Sequence, residues 1–149
     1  MLFRSDYKTV REVYGDKMPG KAVAFEQAWE LLWNGVKRFG IDPEGAQKYL
    51  TTAARLYEKL KEECEGDPVF VPEALYGMAL VEETLAIKDR NNLDRAVDYY
   101  KELVDKHAKS AFGKLAQERL DILENRDRRA EVSEVYQDLQ RLIRPDRKK

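Results

Sequence analysis

The side chains able to do chemistry are few, and each stands where its chemistry is discouraged. There is one cysteine and one histidine in the chain. Cys64 falls near the C-terminal end of a helical segment, among Glu62, Glu63 and Glu65. Acidic neighbours and a helix C-terminus raise a thiol pKa and suppress the thiolate that a nucleophile needs. His107 shares a face with Leu103 and Val104 at another helix end. There an imidazole meets the final carbonyls or packs at an interhelical rim rather than serving as a base. Ser5, Ser110 and Ser133 lie at helix starts or exposed positions with no glycine-flanked elbow around them. The glycines are scattered singly at helix ends, so no loop cradles a phosphate. One cysteine and one histidine exclude a disulfide framework and a cysteine–histidine zinc site within one chain. Glu62, Glu63, Glu65 and Asp67 offer the oxygens a divalent cation takes, but not in the order of a calcium loop. They read as an acidic, solvated helix end. No catalytic residue, metal site or cofactor is expected, and the chain reads as a non-enzyme.

The elements that would carry these side chains are helices throughout. The chain has 149 residues, 43% of them hydrophobic and 37% charged, which suits one globular domain with a real core. Leu, Ala and Glu dominate while Ser and Thr are scarce, a bias toward good helix formers. A net charge of -1 gives no field to steer nucleic acid. The basic tail of Arg141, Arg144, Arg147, Lys148 and Lys149 lacks aromatic interleaving, so neither nucleic acid nor an anionic membrane is the expected partner. No stretch approaches the roughly 18–20 apolar residues of a membrane span. The first residues lack the apolar centre of a secretory signal and run almost at once into helix-like sequence. A natural start upstream is therefore expected. The compartment stays open: cytoplasmic by default, cell envelope if an anchor precedes.

Apolar spacing at period 3.6 places a short helix over about 6–14, carrying Tyr7, Val10, Val13 and Tyr14, followed by a turn through Gly20. A second helix spans about 21–39, with Ala28, Leu32, Val36 and Phe39 as one buried stripe. Gly40 stops it, and Asp42 as N-cap with Pro43 at the first position opens a third over about 43–65. A fourth opens near Pro72 and Glu73 and runs to about Asp89, with Val69-Phe70-Val71 before it as a buried connector. Asn91 or Asn92 caps a fifth to His107, Ser110 a sixth to about Leu123, and a seventh covers about 128–143. One domain of residues 1–149 follows, with its core over about 21–143 and a charged tail at 144–149. Nothing reads as a sheet, so the fold class is all-α. Glu82 and Glu83 are adjacent in an apolar helix, and one of them must point away from the core. Tyr49, Tyr57, Tyr76 and Tyr100 read as core-boundary residues, with the ring inside and the hydroxyl reaching out.

A repeat organises these helices. Ala53, Tyr57 and Leu60 match Ala96, Tyr100 and Leu103 at an offset of 43 residues, and each set is followed by a connector and an alanine-bearing helix. The small residue lets a neighbouring helix come close, and the aromatic fills the space beyond it. On these residues, with Tyr76-Gly77 and Leu80, the chain resembles the tetratricopeptide repeat family. The string from Tyr99 through Ala111 is similar to bacterial cell-envelope members of the Tol–Pal coordinator and outer-membrane lipoprotein-assembly types. The spacing from Gly77 to Ala96 is longer than the family's, implying longer helices or an expanded turn. The resemblance implies a right-handed solenoid of about three antiparallel hairpins, six or seven helices in all. It also implies a protein-interaction scaffold whose concave helices receive a peptide or partner helix, with Met78, Val81 and Glu82 at groove positions. The alternative is a structural or oligomerising domain of a larger envelope protein, its apolar faces pairing with copies of itself.

Overall fold

The computed structural model describes residues 19–125. Over that range the chain forms five helices: α1 (Pro19–Arg38), α2 (Pro43–Glu63), α3 (Phe70–Leu85), α4 (Asn91–His107) and α5 (Ala111–Glu124). There is no strand among the described residues, as the period of the apolar pattern requires. The helices expected at 6–14 and 128–143, and the charged tail, lie outside the described residues.

Two helix starts follow the caps legible in sequence. The Asp42 carboxylate accepts from the Gly45 amide at 3.0 Å, with Pro43 at the first helical position. The Ser110 hydroxyl accepts from the Gly113 amide at 2.9 Å and donates to the His107 carbonyl at 2.7 Å, tying the end of α4 to the start of α5. Beyond α2 the chain reverses through Gly66, whose φ of +81° is a conformation that favours glycine.

Two other starts differ from the sequence reading, for one shared reason. Val69-Phe70-Val71 is not a connector: Phe70 and Val71 belong to the first turn of α3. The N-cap position is Val69, which makes no side-chain bond, and Asp67 acts from ahead of it, its Oδ1 accepting from the amides of Val69 at 2.8 Å and Phe70 at 2.9 Å. Likewise Asn91 and Asn92 lie inside α4, and Asp89 Oδ1 accepts from the Asn91 amide at 3.0 Å. In both cases an aspartate folds over the turn ahead of the helix and satisfies the orphan amides from outside. α3 itself stops at Leu85, short of the expected Asp89, and residues 86–88 form a turn.

Short connections reverse the chain between successive helices. Each helix packs on the next, and the odd-numbered helices also touch in succession, α1 with α3 and α3 with α5. The repeated triplets sit at the centre of this packing. Ala53, Tyr57 and Leu60 of α2 and Ala96, Tyr100 and Leu103 of α4 are all buried. The Tyr57 ring lies against the backbone of α3 at Gly77, where any β-carbon would collide with it. Glycine is required there for close approach, not for a turn. Phe70, from the extra first turn of α3, stacks on Phe25 of α1 with ring centroids 5.0 Å apart.

Enlarging a close-contact alanine should force helices apart, which typically costs about 1–3 kcal/mol. Ala96→Leu is expected to lower the urea midpoint by an amount in that range. Ala111→Leu, at the exposed first position of α5, should change stability by less than about 0.5 kcal/mol. Equal midpoints for the two variants would remove the close-contact role of Ala96.

Candidate functional site: an aromatic cleft on the odd-numbered helices

Trp29, Leu32, Trp33 and Val36 recur at i, i+3, i+4 and i+7 along α1 and therefore share one side of it. Tyr76, Leu80, Glu83 and Thr84 of α3, with Ile87 just beyond, do the same. These two stripes, closed by Arg119 from α5, enclose a cleft of about 210 Å³. One wall is a pair of nearly parallel indoles, Trp29 and Trp33, with centroids 6.3 Å apart and planes 11° from parallel. The Lys37 ammonium stands over the Trp33 ring at 5.8 Å, within cation–π range. Trp33, Val36, Leu80 and Ile87 are half-buried, so the apolar lining is open at its mouth.

The polar wall is built around a buried carboxylate. The Glu83 side chain is only 8% exposed. Arg119 Nε donates to its Oε2 at 3.0 Å and Arg119 Nη2 donates to its Oε1. The Tyr100 hydroxyl donates to Oε2 at 2.8 Å. A charge held out of water persists only when paired and hydrogen-bonded, and here the donors come from two other helices. Thr84 turns its hydroxyl inward to its own helix, donating to the Leu80 carbonyl at 2.8 Å. Tyr76 packs against the rings of Tyr100 and Phe112, at 5.7 Å and 5.5 Å. Burial pushes its phenol up to about 12, Glu118 adding to the rise and Arg119 opposing it. The cleft therefore presents neutral aromatic and aliphatic surface with one guanidinium. Two of that group's five N–H donors are committed to Glu83. Glu83, the acid in the lining, spends both oxygens on those bonds. The arrangement suits apolar recognition rather than proton transfer.

The residues singled out from sequence are placed differently. Met78 (6% exposed) and Val81 are buried, and Glu82 is half-buried. They lie on α3 as expected but round the helix from the cleft stripe, and the structure does not bring them into the cleft. The Glu82 carboxylate accepts from Asn92 Nδ2 at 2.9 Å, joining the end of α3 to the start of α4. Burial holds its pKa above the usual carboxylate value, with Arg95 and that Asn92 bond opposing. Of the adjacent pair, then, neither carboxylate stands free in solvent. The signal that would have found the cleft is the tryptophan pair at i, i+4 read together with Tyr76, Leu80 and Thr84.

Cys64 is buried, and burial is the main cause that pushes its thiol up, with Asp67 and Glu63 adding to it. The Lys21 ammonium pulls the other way while donating to the Glu63 carbonyl at 2.7 Å. Burial likewise holds the His107 imidazole below its ordinary value. Asp67, from the acidic cluster, is occupied by the amides of Val69 and Phe70 at the start of α3. Among the described residues no group of three or more His, Cys, Asp or Glu side chains converges as metal ligands, and no helix is long and apolar enough to cross a membrane. The chain matches no protein-family model, no curated protein and no solved structure.

Removing one partner of a buried ion pair leaves an uncompensated charge and typically costs about 3–5 kcal/mol. Arg119→Met is expected to fall near that range by urea denaturation, and adding Glu83→Met should recover most of the loss. A double variant as unstable as the single one would show that the pair is not what holds this wall. Tyr76 predicts an alkaline effect. A phenol that titrates near 10 when unfolded and at about 12 in the fold contributes stability that is fully present below pH 10 and lost as pH rises toward 12. Between those pH values the native chain should lose more stability than Tyr76→Phe, measured by denaturation at each pH.

Proposed function

We propose that the chain is a tetratricopeptide-like scaffold without catalytic activity, and that its cleft receives an apolar side chain from a peptide or partner helix. The reading treats α1–α2 and α3–α4 as successive hairpins, α5 as the first helix of a third, and their stacking as a right-handed solenoid. Three features support it. The odd-numbered helices touch in succession. The even-numbered helices bury the same triplet of alanine, tyrosine and leucine. The cleft is lined by the odd-numbered helices and by Ile87 just after α3, and such an arrangement turns the odd-numbered helices toward its concave side.

The observation that carries the proposal is the stacked tryptophan wall facing Leu80 and Ile87 across an open cleft. About 210 Å³ is less than the roughly 300–1,000 Å³ of small-molecule pockets and suits one large side chain. Rigid aromatic surface is what binding hot spots are made of. The Arg119 donors not engaged by Glu83 would take a carbonyl or carboxylate beside that anchor.

Selection of displayed peptides on the full chain tests the reading. Enriched peptides should carry an aromatic or large aliphatic anchor. Leu80→Asp and Trp33→Ala should each weaken them by about tenfold or more, the effect of losing roughly 1.4 kcal/mol at a hot spot. Circular dichroism should show both variants folded. No enrichment, or peptides indifferent to both substitutions, would overturn the cleft as a docking groove.

A further inference from the structure

A planar guanidinium has more than one edge on which a carboxylate can sit across two parallel N–H donors. Glu83 occupies one such edge of Arg119, the pair formed by Nε and Nη2. The next edge, Nη1 with the second N–H of Nη2, bonds to no described residue. Arg119 closes a cleft whose other walls are mostly apolar. The geometry points to a second class of ligand for this cleft: small free acids in which a short chain joins a carboxylate to an aromatic ring. The ring lies between the tryptophan wall and Leu80, and the carboxylate takes the open edge of Arg119. This goes beyond the docking reading, because it uses the same cleft but needs no partner protein.

Size, wall and charge each favour that ligand. A cleft of about 210 Å³ holds a group no larger than one big side chain, so the acid carries a single ring system. The Trp29 and Trp33 planes are 11° from parallel, so a flat ring aligns with both. The charge of Glu83 is answered by Arg119 within the lining. The Lys37 ammonium, 5.8 Å from the centre of the Trp33 ring, adds a second cation beside the cleft. Glu118, next to Arg119 in sequence, is exposed, and solvent and salt screen its repulsion. A bound acid therefore leaves Arg119 bridging two carboxylates, with a further cation close by. An amine finds no such welcome, because Glu83 already spends both oxygens on Arg119 and Tyr100. The Thr84 hydroxyl is spent as well, on the Leu80 carbonyl. The guanidinium is what would choose the ligand's polar end.

Phenylpropionate and its uncharged amide, matched in shape, isolate the role of the charge. The chain reports on the site itself, because it has two tryptophans and both line the cleft. Titrated into the full native chain, the acid should shift the tryptophan emission saturably. The amide should bind about tenfold more weakly or worse, the difference a charge-assisted bidentate pair makes. Arg119→Lys keeps a cation against Glu83 but offers no second planar edge, so the acid's advantage should fall below about threefold. Arg119→Met/Glu83→Met removes both charges together, and there acid and amide should bind alike. The far-ultraviolet circular dichroism of both variants should stay that of a folded helical protein. The comparison of acid with amide on the native chain needs no variant. Equal binding of the two by the native chain, no saturable shift with either, or an acid advantage that survives in both variants would overturn the proposal. Peptides selected on the cleft should be displaced by the acid. Peptides that depend on Leu80 and Trp33 yet stay bound when the acid saturates would put it outside the cleft and overturn the proposal too. Acid binding with no peptide selected would remove the docking reading and leave this one standing, whereas selected peptides with no acid binding would do the reverse.

Discussion

A carboxylate taken out of water must be given back its solvation by the protein, and Glu83 receives it from Arg119 on α5 and Tyr100 on α4. Three helices are thereby committed to one point. Because each donor has a fixed direction, the helices cannot rotate or slide without leaving a buried charge exposed to an apolar surrounding. The consequences spread outward from that point. Tyr100 is held at the middle of α4 by its hydroxyl and by the close approach that Ala96 permits. Tyr76 is wedged between the rings of Tyr100 and Phe112. Arg119 is turned toward α3, which is why a residue of α5 closes a cleft otherwise made by α1 and α3. The polar wall of the cleft rests on this bond set.

Much of the fold was legible in the order of residues because it is recorded locally. Five stretches with apolar residues at period 3.6 are the five helices, four of them amphipathic and α3 apolar nearly all round. Asp42-Pro43 and Ser110 with Gly113 carry their caps within three residues. The matched triplets were legible because a small residue, an aromatic and a leucine at fixed spacing describe one packing solution, and both copies are buried. The misread starts show the limit of that reasoning. Asp67 and Asp89 act from ahead of the helix across a turn, whereas the local pattern points to Pro72 and Glu73 as the opening of α3 and to Asn91 or Asn92 as the cap of α4.

Of the cleft, the sequence reading singled out only one of its helices, α3. Met78, Val81 and Glu82 follow from where the resemblance puts a groove, yet the open stripe runs through Tyr76, Leu80, Glu83 and Ile87. The pattern of α3 gives little guidance, because the helix is apolar nearly all round and no polar face marks an outside. Glu83 was the deceptive residue. Beside Glu82 it resembles a solvated charge, and its partners stand 17 and 36 residues away. No local rule announces a pair of that separation.

The two sides of the cleft are made of different materials. On the side of α4 and α5 the wall is held by directional bonds to Glu83. On the side of α1 and α2 apolar contacts join one hydrogen bond: Phe25 packs on Phe70, the Tyr57 ring lies against the bare backbone at Gly77, and the Lys21 ammonium donates to the Glu63 carbonyl. Dispersion and apolar burial have no preferred direction, so such a seam draws its strength from area and close fit rather than from bond geometry. The two walls therefore differ in what chiefly holds them, hydrogen bonds to a buried charge on one side and apolar burial on the other. A substitution at the Glu83 wall would register as lost hydrogen bonds, and one at Phe25 or Phe70 as lost apolar burial.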